Sequence, residues 1–120
     1  MNSGEFTAKC TSLDAFLPQS VNVSFVKMDI QGAEYFAVCG MRKSLMKQGA
    51  ILMTEIEPYC LKRCGIKTIK YLELLKSCGY SRFMSVKHRK GRSLIRKDMD
   101  FDEMTKDVGI GCNLFCYPTV

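Results

Sequence analysis

Phe25-Val26-Lys27-Met28-Asp29-Ile30-Gln31-Gly32-Ala33-Glu34, residues 25–34, sets the local pattern from which the rest of the chain can be read. With Val21 and Val23 before it, the run Val21–Ile30 is apolar on both faces, the mark of a strand buried in a parallel sheet. Asp29 arrives near the strand's carboxyl end, and Gly32 lets the backbone turn or approach a ligand closely. A helical stretch then opens at Ala33 and runs to about Lys47, notched at Gly40. Glu34 falls in its first turn, where a carboxylate is stabilised by the positive helix end and need do nothing more. On spacing alone, a functional site and a structural turn fit this string equally well.

Working outward, Thr11–Pro18 reads as a short helix capped by Thr11, with Asp14 in its first turn and Pro18 as the stop. Ala50–Ile56 is a second buried strand, ending in Glu55, Glu57 and Pro58. Thr68 can cap a helix over 69–78 that Gly79 ends, with Ile69, Leu72 and Leu75 on one face. Tyr80–Val86 and Asn113–Tyr117 are further strands, joined by a long polar loop. Strands alternating with helical crossovers predict a three-layer α/β sheet, parallel at first, whose last two strands pair as an antiparallel hairpin. In such sheets ligands bind beyond the carboxyl ends of the parallel strands. Asp29 and the Glu55–Glu57 pair reach that edge.

The chain has 120 residues, 47% hydrophobic and 25% charged, which predicts one soluble domain. No apolar run approaches the ~20 residues of a membrane helix, and residues 1–10 carry no secretory pattern. The net charge of +6 invites a nucleic-acid partner. Its loudest source, Lys87–Lys97, holds six cations and no acid, but residues 98–107 follow at once with five acids and one lysine. The two are expected to pair across a turn and leave a solvated loop, with His88 a loop histidine. No aromatic residue lies between Phe83 and Phe101 to stack a base. The sequence thus predicts neither a nucleic-acid nor a membrane partner.

Seven cysteines include two C-x3-C pairs, Cys60/Cys64 and Cys112/Cys116. The second pair sits in a strand, where residues four apart are roughly 13 Å apart, too far for one tetrahedral ion. No metal is expected. Free thiols, several acting as small core hydrophobes, point to a reducing, cytoplasmic compartment.

Several stretches together resemble the FkbM family of S-adenosylmethionine-dependent methyltransferases. They are Ser12–Leu17, the Val26–Glu34 string, Gly40, Ile51–Glu55, Gly79-Tyr80, and Asn113–Pro118. The resemblance implies a Rossmann-like class I methyltransferase sheet. The chain would begin near that sheet's third strand and form a partial domain over 1–120. The cofactor would be S-adenosylmethionine and the acceptor a small-molecule or glycan hydroxyl. Asp29 would sit at the transfer centre, orienting the cofactor's amino-acid end or serving as base. Glu34 and Glu55 are second catalytic candidates, each equally a cap or a structural acceptor. Gln31 joins Asp29 as a cofactor contact, though the family usually has Glu there. Such enzymes hold the cofactor on a Gly-rich turn after their first strand, and this chain has no G-x-G run opening a helix. That predicts weak cofactor binding, or none, by these residues alone. The alternative is a non-catalytic remnant or half-domain that associates with another chain, because the edge along Val23–Ile30 would be left uncovered.

Overall fold

The computed structural model describes residues 4–109 and 111–119. Five strands form one mixed sheet in the order β1-β2-β5-β3-β4. They are β1 (Phe25–Met28), β2 (Ile51–Ile56), β3 (Tyr80–Arg89), β4 (Arg92–Met99) and β5 (Cys112–Pro118). β1 and β2 are parallel; β5 lies antiparallel between β2 and β3, so β3 runs with the first two. The expected antiparallel pairing of Tyr80–Val86 with Asn113–Tyr117 is present, though the two strands are not consecutive.

The segment between them is the main correction. Lys87–Lys97 is not a loop but the end of β3 and most of β4, paired antiparallel around Lys90-Gly91. Both turn residues have positive φ, 49° and 72°, the geometry that carries a two-residue hairpin with the sheet's twist. The acidic stretch is α6 (Phe101–Asp107), opened by a reciprocal capping box between Asp100 and Glu103. His88 therefore stands on a strand, with Ser93 Oγ 3.0 Å from its Nδ1.

Val21–Ile30 shortens to the four residues of β1, and half of these are exposed, because β1 is the sheet's edge and not an interior strand. The first helix, α1 (Leu13–Phe16), is capped by Ser12, whose side chain accepts from Ala15 N, and not by Thr11. The predicted 33–47 helix is two helices, α2 (Glu34–Cys39) and α3 (Arg42–Lys47). The break at Gly40 is held from α1. Asp14 donates its N–H to the Gly40 carbonyl, and its carboxylate accepts from Lys43 N, Ser44 N and Ser44 Oγ at 2.7–3.0 Å. Those bonds outweigh burial, which acts to raise the Asp14 pKa, and leave it lowered. An additional helix, α4 (Pro58–Arg63), begins on Pro58 with Glu57 as its cap. In α5 (Thr68–Ser77), Thr68 is the first helical residue and Lys67 takes the cap position.

Side chains on one sheet face, including Leu52, Thr54, Ile56, Phe83, Leu114 and Cys116, are buried. Helix α5 covers this face, and α2, α4 and α6 pack against α5. Thr54 Oγ1 and the Tyr71 hydroxyl meet at 2.7 Å there, so neither polar group is buried unpaired. The register sets Phe25 beside Ile51, links Met53 through Phe115 to Met84, and joins Glu55 through Asn113 to Val86 and Ile95 on the other face. These side chains are all half-buried or exposed. The molecule is 25 Å through its thinnest direction, enough for the sheet and one helical layer. The described residues thus build two layers where the sequence predicts three.

Candidate active site

The carboxyl ends of β1, β2 and β3 and the start of β5 enclose a crevice of about 340 Å³. Asp29, Glu55 and Glu57 line one part of it, and Val86, Lys87, His88, Cys112 and Asn113 much of the rest. The crevice forms because β1 and β2 are parallel and in register, Met28 beside Thr54, so the residues after each partner arrive side by side.

Asp29 and Glu55, read from separate strands, do meet. Asp29 beside it, partial burial and the charges of Asp29, Glu34 and Glu57 raise the Glu55 pKa to about 7. A carboxyl with this value changes protonation in the range where a general base works best. It also links site and stability. In the unfolded chain Glu55 takes its ordinary value near 4.5, so the folded form holds the proton more tightly. The resulting stabilisation is full below pH ~4.5 and is lost as pH rises through 7. Glu55→Gln is accordingly expected to stabilise the protein at pH 8, by about 1 kcal/mol after allowance for solvent screening, or about 4 °C in Tm. At pH 4.5 the two proteins should melt within a degree or so of each other. Thermal melts at both pH values check this, and a variant no more stable than the parent at pH 8 contradicts the paired-acid geometry.

Glu34 does not join the crevice. It is 2% exposed and turned back under the strand-to-helix turn. Its Oε1 accepts from Ile30 N at 3.0 Å and its Oε2 from Gly32 N at 2.8 Å. Both Glu34 carboxylate oxygens thus serve as structural acceptors beneath the turn. The turn it clamps places Gln31 at φ 56° and Gly32 at φ 103°. Gln31 Nε2 donates to Asp29 Oδ1 at 3.1 Å, and Cys60 Sγ donates to Gln31 Oε1 at 3.8 Å. An amide at this position supplies Asp29 with a donor where a carboxylate would add another negative charge.

Gly32 is needed for a reason that spacing could not give. A Cβ there would overlap the Cys60 carbonyl of α4 and sit 2.5 Å from its carbonyl carbon. Three further residues of the crevice wall, Glu57, Lys87 and His88, were not site candidates in the sequence. Glu57 was visible beside Glu55, whereas Lys87 and His88 come into place only through the β3–β5 pairing. Among the described residues no cluster of His, Cys, Asp or Glu could hold a metal ion.

An α/β sheet that gathers acids at the carboxyl edge of parallel strands, on a turn clamped from beneath, has the layout of a ligand-binding enzyme domain. The family model described as the methyltransferase FkbM domain matches residues 1–82, and the chain belongs to that family. The match ends at Arg82, so the likeness read in Asn113–Pro118 lies beyond it. No curated protein matches the chain. Among the described residues no helix is long and apolar enough to cross a membrane.

Proposed function

We propose that the chain carries the reacting edge of an S-adenosylmethionine-dependent methyltransferase that acts on a hydroxyl oxygen of a small molecule or glycan. The reading is carried by the meeting of Asp29, Glu55 and Glu57 in one crevice of a chain from this family. The cofactor's amino-acid end carries an ammonium and a carboxylate beside a cationic sulfonium, and an acidic pocket fits the two cations of it. The fit is to that end alone, since no G-x-G run opens a helix in this chain. When bound, the cofactor supplies an electrophilic methyl group. Asp29, steadied by Gln31, orients the ammonium end. Glu55 takes the proton from the acceptor hydroxyl, and the walls of the crevice hold the oxygen in line. The same reading assigns the sheet to the Rossmann-like class I type, supported by three strands of one direction with β5 inserted against them. It assigns the protein to the cytoplasm, supported by seven free cysteines.

In the full natural protein, Asp29→Asn is expected to lower kcat/KM for methyl transfer at least about tenfold, through loss of a charge contact to the cofactor. Full turnover by that variant contradicts the assignment. A second reading, a half-domain that works by association, is favoured by the open sheet face and the free edge of β1, where Phe25 is 50% exposed. It calls for concentration-dependent sedimentation of the isolated chain; a monomer at every concentration contradicts it.

A further inference from the structure

Folding removes most of the acids that the sequence set against the basic run. Asp98 pairs with Arg82 at 2.5 Å, and Asp107 takes Lys87 at 3.2 Å and Arg96 at 3.5 Å. Asp100 and Glu103 are engaged with each other's backbone in the cap of α6. The cancellation therefore holds at the base of the β3–β4 hairpin and fails at its tip. At the tip, among the described residues, no carboxylate pairs with Arg89, Lys90 or Arg92. Arg89 and Arg92 stand directly opposite each other in the ladder, a like-charge pair that works against the hairpin. Beside these cations Leu94 and Ile95 are 52% and 55% exposed, on opposite faces of the terminal strand.

We propose that this hairpin docks the protein on an anionic lipid surface. Arg89, Lys90 and Arg92 would meet headgroup phosphates, with Leu94 and Ile95 on the edge strand β4 set against the same surface. Each cation held at such a surface raises affinity roughly fivefold, and exposed aliphatic side chains between cations add to it by insertion. Basic side chains on an edge strand also oppose pairing of β4 with a second copy, which would set these cations against themselves. Leu94 and Ile95 have no part in that guard, but a lipid boundary uses both. Nucleic acid is less well matched, since the hairpin has no aromatic side chain to stack a base. Val86, Lys87 and His88, on the strand next to β4, line the crevice, so docking along this edge holds the crevice close to the headgroups. The proposal stands whether or not the crevice transfers methyl groups.

The test is sedimentation of the full chain with vesicles of phosphatidylcholine alone or mixed with phosphatidylserine, at low and high salt. Binding to the mixed vesicles only, weakened by salt, is the expected result. Combined Arg89→Gln, Lys90→Gln and Arg92→Gln should weaken it roughly 100-fold. The paired Arg89→Lys and Arg92→Lys variant keeps the charge and should keep the binding. Leu94→Ser with Ile95→Ser should lower affinity and leave a residual attachment that salt abolishes. No binding to mixed vesicles, equal binding to both kinds, or an unchanged triple glutamine variant overturns the proposal. Displacement of the vesicles by an RNA probe bound more tightly overturns it in favour of nucleic acid.

Discussion

Gly32→Ala is expected to cost about 4 kcal/mol of stability, the largest effect of any single methyl group added to this chain. Two penalties combine there. The residue sits at φ 103°, where an L side chain is strained by about 1–3 kcal/mol. The added Cβ also meets backbone: it would lie 2.5 Å from the Cys60 carbonyl carbon, and a carbonyl in helix α4 cannot rotate aside as a side chain would. Relief requires α4 to shift away from the turn, which moves Gln31 and with it the donor held against Asp29. Gly91→Ala is the control, because Gly91 also has positive φ, 72°, but a Cβ there meets nothing within 4 Å. It should cost about 1 kcal/mol, the strain alone. Urea unfolding of both variants separates the two contributions. Equal midpoints would show that the close approach of α4 carries no weight.

The second large effect is expected at Glu34. Glu34→Ala strips both acceptors from the N–H groups of Ile30 and Gly32, the first part-buried and the second buried beneath the turn. Each bond to a charged acceptor is worth about 1.5–3 kcal/mol, so the variant should lose about 4 kcal/mol. Glu34→Gln keeps one carbonyl acceptor and turns its amide nitrogen toward a second donor, for a loss of about 2 kcal/mol. Hydrogen exchange at the Ile30 and Gly32 amides gives the local readout, since both should lose protection in the alanine variant. A Glu34→Gln protein as stable as the parent with unchanged protection would contradict the weight given to these two bonds.

These residues show what the sequence carried and where it stopped. The string from Phe25 to Glu34 announced strand, acid, turn and helix correctly, because period, glycine and an acid in a helix's first turn are local properties. The arrival of Asp29 and Glu55 at one edge followed from the parallel reading, and the register of β1 with β2 brings them together. The inward turn of Glu34 was not legible: it depends on two backbone N–H groups whose direction is set by the conformation of Gln31 and Gly32. The break between α2 and α3 was marked at Gly40, but its cause lies in Asp14, about 30 residues earlier. Helix α6 and the β3–β4 hairpin did leave local signals, Asp100-x-x-Glu103 and Lys90-Gly91. The charge runs drew attention from the capping box and the turn pair within them. The open sheet face was not legible at all, because apolar side chains on both faces of a strand do not say which face a helix covers.

Adjacent basic and acidic runs look self-cancelling in one dimension. In the fold Asp107 satisfies Lys87 and Arg96, while the hairpin carries Arg89, Lys90 and Arg92 away from every acid that could match them.

The most direct test of the candidate site is to titrate the isotope-labelled chain with S-adenosylmethionine to millimolar concentration and follow its amide resonances. Shifts confined to residues 29–34 and 55–57, with an affinity weaker than micromolar and abolished in Asp29→Asn, are expected. Shifts confined to other parts of the chain, or micromolar binding that leaves residues 29–34 and 55–57 unmoved, would contradict the assignment of this crevice to the cofactor.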